Sequence, residues 1–185
     1  MTVSSSTRPG LKATVAGTLV TLMLLACAAG GEPTSQLPTP GTALQPLFIA
    51  YETGYEKIEV GFQRWFAISP MRNTSDSDIE LLHADLDSVP DGVKVTGYAA
   101  FDLHDTDGPP LTASDSDIQR LATKDRSKQP IPIKAETDSD VFYTVRLTVV
   151  RKQPSIVNGC RITYRHGGRI YRQKVHCTYL LGTTG

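Results

Sequence analysis

Residues 160 to 177 read CRITYRHGGRIYRQKVHC. The stretch begins and ends in cysteine, turns once around Gly167 and Gly168, and carries five Lys or Arg with no acid. Apolar and polar residues alternate on both sides of the glycines, the period of a strand, so the segment is predicted to be a β-hairpin. Cys160, Ile162, Tyr164, Tyr171, Val175 and Cys177 fall on one face, and Arg161, Arg165, Arg172, Lys174 and His176 on the other. Ile170, near the tip on the basic side, does not fit that division.

Two registers are open to the hairpin. A turn at Gly167–Gly168 sets Cys160 against Val175 and leaves Cys177 on a diagonal, about 7 to 8 Å away between α-carbons and too far for a bridge. A type II′ turn at Gly168–Arg169, with glycine first, sets Cys160 opposite Cys177 at about 4.5 to 5.5 Å, within disulfide range. The second is the expected register, with a Cys160–Cys177 disulfide. Metal binding by Cys160, His176 and Cys177 is disfavoured, because adjacent strand residues point to opposite faces.

Outward from the hairpin, VFYTVRLTVV places Val141, Tyr143, Val145, Leu147 and Val149 on one side of a strand and Thr144, Arg146 and Thr148 on the other. DIELLHADL and VKVTGYAAF flank the turn-rich DSVPDG, and IPIKA is a further short strand. KIEVGF reads as a strand grouping Ile58, Val60 and Phe62, with the alternation broken at RWFAI, where Trp65 and Phe66 are candidate core anchors. In SDSDIQRLATK, Ser114 caps a short helix with Asp117 three residues on. About seven strands and one short helix predict an all-β, antiparallel sandwich; the pattern resembles exported immunoglobulin-like domains, with a small barrel or an α+β domain as alternatives.

The N-terminal end sets the compartment. Arg8 and Lys12 precede the apolar run ATVAGTLVTLMLL, which is too short to span a bilayer and suits a secretory signal. It ends in Leu24-Leu25-Ala26-Cys27, which resembles the lipobox of bacterial lipoproteins. The resemblance implies a signal peptide over 1–26, acylation of Cys27, and lipid anchoring on the extracytoplasmic side of the cell membrane. Residues 27–46, rich in Pro, Gly and Thr, read as the acylated cysteine and a flexible tether, and 47–185 as the sandwich domain. Outside the cytoplasm thiols oxidise, which favours the Cys160–Cys177 bridge.

Net charge is zero but unevenly spread. Asp76 to Asp117 holds eleven acids against Lys94, whereas residues 141 to 185 hold eight Lys or Arg and no acid. Arg161, Arg165, Arg169, Arg172 and Lys174 therefore form the candidate binding face, suited to phosphates or carboxylates of an anionic envelope polymer or a membrane protein partner. The alternative is that the acidic half of the same domain satisfies it. A neutral exported chain without an interleaved aromatic platform is a poor nucleic-acid binder. The repeated phrases SDSDI at Ser75, SDSDI at Ser114 and TDSDV at Thr137 read as polar turns that start the next element. Calcium held by Asp76, Asp78, Asp105, Asp107, Asp115 and Asp117 is the rival reading. No nucleophile, phosphate-loop, dinucleotide or zinc motif is present, so the expectation is a binding or scaffolding module rather than an enzyme, with no cofactor, no resident metal and no catalytic residue assigned.

Overall fold

The computed structural model describes residues 38–48 and 52–183. Cys27, the signal segment and most of the expected tether lie outside the described residues. In chain order the elements are β1 (Thr39–Pro40), β2 (Leu44–Pro46), β3 (Glu52–Tyr55), β4 (Gln63–Ile68), β5 (Met71–Asn73), β6 (Ile79–Leu86), β7 (Val93–Asp102), β8 (Thr112–Ala113), α1 (Asp115–Leu121), β9 (Ile131–Ile133), β10 (Val141–Val149), β11 (Ser155–His166) and β12 (Arg169–Leu181).

The strands form an all-β sandwich. One sheet runs β1-β12-β11-β6-β9, with β3 also on β12, and the other runs β7-β10-β4-β8; β2 and β5 make a small two-stranded ribbon. β4, β10 and β7 stand where strands B, E and D stand in an immunoglobulin domain, and β6, β11 and β12 stand where C, F and G do. β3 lies parallel against β12. The Cys160–Cys177 bridge joins two neighbours of one sheet, unlike the bridge between sheets of antibody domains.

Alternation explains the core. Leu81, Ala84, Leu86, Val157, Ile162, Tyr164, Val175 and Tyr179 from one sheet meet Phe66, Ile68, Tyr143, Val145 and Leu147 from the other. Fully burying a side chain of this size contributes about 1.5 to 3 kcal/mol, so the seam between the sheets carries most of the stability. β10 is buried on both faces at its start. Phe142 joins Ala67, Ala99, Phe101, Ala113 and Ile118 in a second cluster beneath α1. Helix α1 begins as its sequence indicates: the Ser114 side chain accepts from the Asp117 backbone, and the Asp117 side chain accepts from the Ser114 backbone.

Three expectations need correction. KIEVGF is not a strand: the chain turns there, with Gly61 N–H donating to the Val149 carbonyl and Phe62 N–H to the Glu59 carbonyl. Ile58 is buried, but Val60 is 63% exposed and does not share its face. The tether does not run to Pro46, because β1 pairs with β12 through Thr39↔Tyr171 and Pro40↔Arg172, and β2 pairs with β5. Leu44 is buried, and the Gln173 side chain meets both its N–H and its carbonyl. Composition suggested a coil; partners from elsewhere in the chain made it a strap.

The third correction concerns the hairpin. The turn is Gly167–Gly168, with His166 opposite Arg169 and Cys160 opposite Val175. Both glycines hold positive φ, 53° and 77°, which a type I′ turn needs at its two central positions. The bridge nevertheless closes, with Cα–Cα 5.6 Å. Between Asn158↔Thr178 and Cys160↔Val175 the register shifts, so that His176 and Cys177 together oppose Gly159, itself at φ 85°. This bulge brings Cys177 beside Cys160, which a regular ladder in that register would not do.

Candidate functional site

The outer face of β6, β11 and β12 carries Arg161, Arg165, Arg172 and Lys174, and Arg169, beside the turn, alternates to the other side at the hairpin tip. Ladder register decides what they meet. Arg161 stands opposite Asp85 of β6 and Lys174 of β12, and Arg165 opposite Glu80 and Ile170. Arg165 is paired with Glu80, and Asp87, just beyond the end of β6, takes Lys174 at 2.8 Å and Arg161 at 3.6 Å. The hydrogen bond from Lys174 holds the Asp87 carboxyl below the usual carboxylate range, against the opposing effect of desolvation. Arg161 also donates to the Leu86 carbonyl at 3.3 Å.

The acidic half therefore does cover part of the basic face. Arg161, Arg165 and Lys174 are engaged within the domain. Arg169 and Arg172 are both exposed and make no ion pair among the described residues. They flank Ile170 in sequence; Ile170, 37% exposed, shares the outer face with Arg172. All three lie on β12 beside β1, at the opposite side of the sheet from the acidic strand β6.

The other acids do not converge on a calcium ion. Asp78 pairs with Lys134 and accepts from Ala135 N–H, Asp105 pairs with Lys124, and Asp117 caps α1 and pairs with Arg120. Asp115 ties the helix start to the sheet, accepting from Trp65 Nε1 at 2.8 Å and from Arg146. Desolvation pushes its carboxyl up, but those two donors outweigh it and hold the group below its ordinary range. Among the described residues no three metal-ligating side chains gather. Two of the three repeated acidic phrases immediately precede β6 and β10, and the third opens α1, as polar starters.

Phe66 is fully buried between the sheets, whereas Trp65 faces the other way, half-buried against Gly97 and the helix. Two features escaped sequence reasoning because they depend on distant parts of the chain. Ser77 Oγ and His166 Nε2 stand 2.8 Å apart, with Ser77 also bonded to Asp76 Oδ1 at 3.2 Å. The pair ties the loop before β6 to the hairpin tip, and among the described residues no carboxylate is bonded to that imidazole. A cavity of about 390 Å³ also opens beside α1, floored by Phe101, Ala113, Ile118 and Phe142, with Asp105 and Asp107 among its lining.

No protein-family model matches the chain, and no curated protein matches it. Among solved structures it is similar to the VesB protease of Vibrio cholerae at 10% identity, with 71% of this chain and 30% of that chain covered and a TM-score of 0.34. The chain thus spans less than a third of that protease's length, and a likeness of this size carries no argument about fold or activity.

Proposed function

We propose that the chain is a lipid-anchored extracytoplasmic lipoprotein whose sandwich serves as a binding or scaffolding module, with Arg169 and Arg172 as its contact surface. The lipobox at Leu24 to Cys27 supports the location. The observation that carries the surface is the division of the basic face: three of its cations are held by Glu80 and Asp87, and Arg169 and Arg172 are left at the hairpin's outer edge. Exposed arginines recognise phosphate or carboxylate groups by charge-assisted hydrogen bonds, so an anionic envelope component is the expected partner. In the test, full-length protein is extracted from membranes and applied to immobilised dextran sulfate. Arg169→Ala with Arg172→Ala should elute at clearly lower salt, and Arg161→Ala close to wild type. Co-elution of the double variant with wild type would remove this surface. A Cys27→Ala chain should leave the membrane fraction.

The cavity beside α1 favours a second reading, binding of a small apolar ligand. Its volume lies within the range of small-molecule pockets, and its floor is aromatic and aliphatic. Chemical shifts of Phe101 and Ile118 on titration with an apolar probe would separate the two readings.

A further inference from the structure

The strap fixes where the anchored chain enters the sandwich. β1 lies against Tyr171 and Arg172, and Gly41 N–H donates to the Arg172 carbonyl at 3.0 Å, so the polypeptide arrives at the hairpin tip. From Cys27 to Thr39 there are 12 residue steps, a reach of about 40 Å at most even when fully extended. The other end of the sandwich, where Val60 lies near the end of β10, is farther off. β11 alone, from Ser155 to His166, adds roughly 36 Å. An acylated Cys27 is therefore joined to the sandwich at its tip end, so the tip is the end the tether delivers first to the bilayer.

That end carries Arg169, Ile170 and Arg172 on the strand beside β1. Acids at the same end lie towards β6 and β9, two and three strands away, and at the start of β10 and the end of β7 in the other sheet. Asp78 there is neutralised by Lys134, Asp138 by Arg72 and Asp102 by Arg126, which leaves Asp76, Glu136 and Asp140 without an ion pair among the described residues, all away from β12. Approached end-on, the tip presents Arg169 from one face and Ile170 with Arg172 from the other, which matches an anionic lipid surface where headgroup phosphates meet the guanidinium groups and the aliphatic side chain enters the interface. Each arginine near such a surface is worth about fivefold in binding. That is weak for a free domain and sufficient for a tethered one, because a short tether gives an effective concentration on the order of millimolar.

We infer that the hairpin tip docks on the anionic bilayer, with Arg169 and Arg172 on lipid phosphates and Ile170 at the interface, so that the sandwich stands with its tip towards the membrane. This rests on the lipid-anchor reading above and names the partner of the same surface.

The test uses the acylated full-length protein in phosphatidylcholine vesicles with and without one third phosphatidylglycerol, the lipids carrying brominated chains that quench indole on contact. Ile170→Trp reports on the tip and Val60→Trp on the opposite end; Trp65, in both, supplies a common background. The expected result is several-fold stronger quenching of Ile170→Trp than of Val60→Trp in anionic vesicles. It should fall to the Val60→Trp level at high salt or with Arg169→Glu and Arg172→Glu added. Equal quenching of the two variants would overturn the inference, and so would quenching of Ile170→Trp that is the same in neutral vesicles. Intact mass of the same preparation separates the two levels: an unmodified Cys27 defeats the anchor reading, whereas an acylated chain with an unquenched tip defeats only this inference. A cooperative melt matching wild type shows that each variant is folded.

Discussion

Tyr179 of β12 donates its hydroxyl to the Ala67 carbonyl of β4 at 2.8 Å, crossing between the two sheets in the fully buried core. Ala67 lies just past the last β4 residue paired with β8, and its N–H is already bonded to the Leu111 carbonyl. The tyrosine thus serves a backbone acceptor beyond the end of a short edge strand. Tyr179→Phe leaves that carbonyl without this donor and should cost about 1 to 3 kcal/mol, read from the urea midpoint.

Tyr143 is the contrasting case. It is also buried, its hydroxyl has no hydrogen-bond partner among the described residues, and burial pushes its ionisation up to about 12. Removing an unpartnered hydroxyl leaves no orphaned group behind. Tyr143→Phe should leave the urea midpoint unchanged or raise it, and a loss comparable with that of Tyr179→Phe would contradict the assignment.

The disulfide closes a hairpin whose cysteines are 17 residues apart. A loop of that size should contribute about 3 kcal/mol by restricting the unfolded chain. Double Cys160→Ala and Cys177→Ala replacement should lower the melting temperature by about 10 °C without abolishing the sandwich, whose core lies mainly in other residues. Calorimetry of the oxidised protein and the double variant measures the difference.

The strap is held by Tyr164, whose hydroxyl accepts from Ala43 N–H at 3.1 Å and would lie 2.2 Å from a Cβ added at Gly41. Because Tyr164 is buried, it has no room to move aside. Gly41→Ala should detach residues 38 to 46, seen as rapid amide exchange at Gly41 and Leu44, while β10 and β11 stay protected. Tyr164→Phe should loosen the same residues more mildly.

Acid should weaken the fold through specific carboxylates. Asp78, Asp87, Asp115 and Asp117 all ionise below the usual Asp value, Asp87 chiefly through the hydrogen bond from Lys174 and Asp117 chiefly through that from Ser114. A carboxyl depressed in the folded state stabilises fully above its unfolded value, near 4, and loses that contribution as pH falls through the folded value. The melting temperature should therefore decline below about pH 4, and Asp115→Asn should flatten the decline.

Much of this architecture was legible locally. Alternation alone located β6, β7 and β10, and the Ser114 and Asp117 pair marked the start of α1. The two faces of the hairpin were right although its register was off by two residues, because a two-residue slip preserves sidedness where a one-residue slip reverses it. What escaped depends on distant partners. Whether Gly167 or Gly168 opens the turn was undecidable without the bulge at Gly159. Residues 39 to 46 have no pattern of their own and become strands through Tyr171, Arg172 and β5. The contact surface shrank from five cations to two because Glu80 of β6 and Asp87 just beyond it come from more than seventy residues away in the chain.

Intact-mass analysis of the protein isolated from membranes, without reduction, tests the central claim most directly. A lipid-anchored exported sandwich should give a chain beginning at Cys27, heavier by its acyl groups and lighter by the two hydrogens lost when Cys160 joins Cys177. A chain still beginning at Met1, unacylated and with both later thiols free, would contradict it.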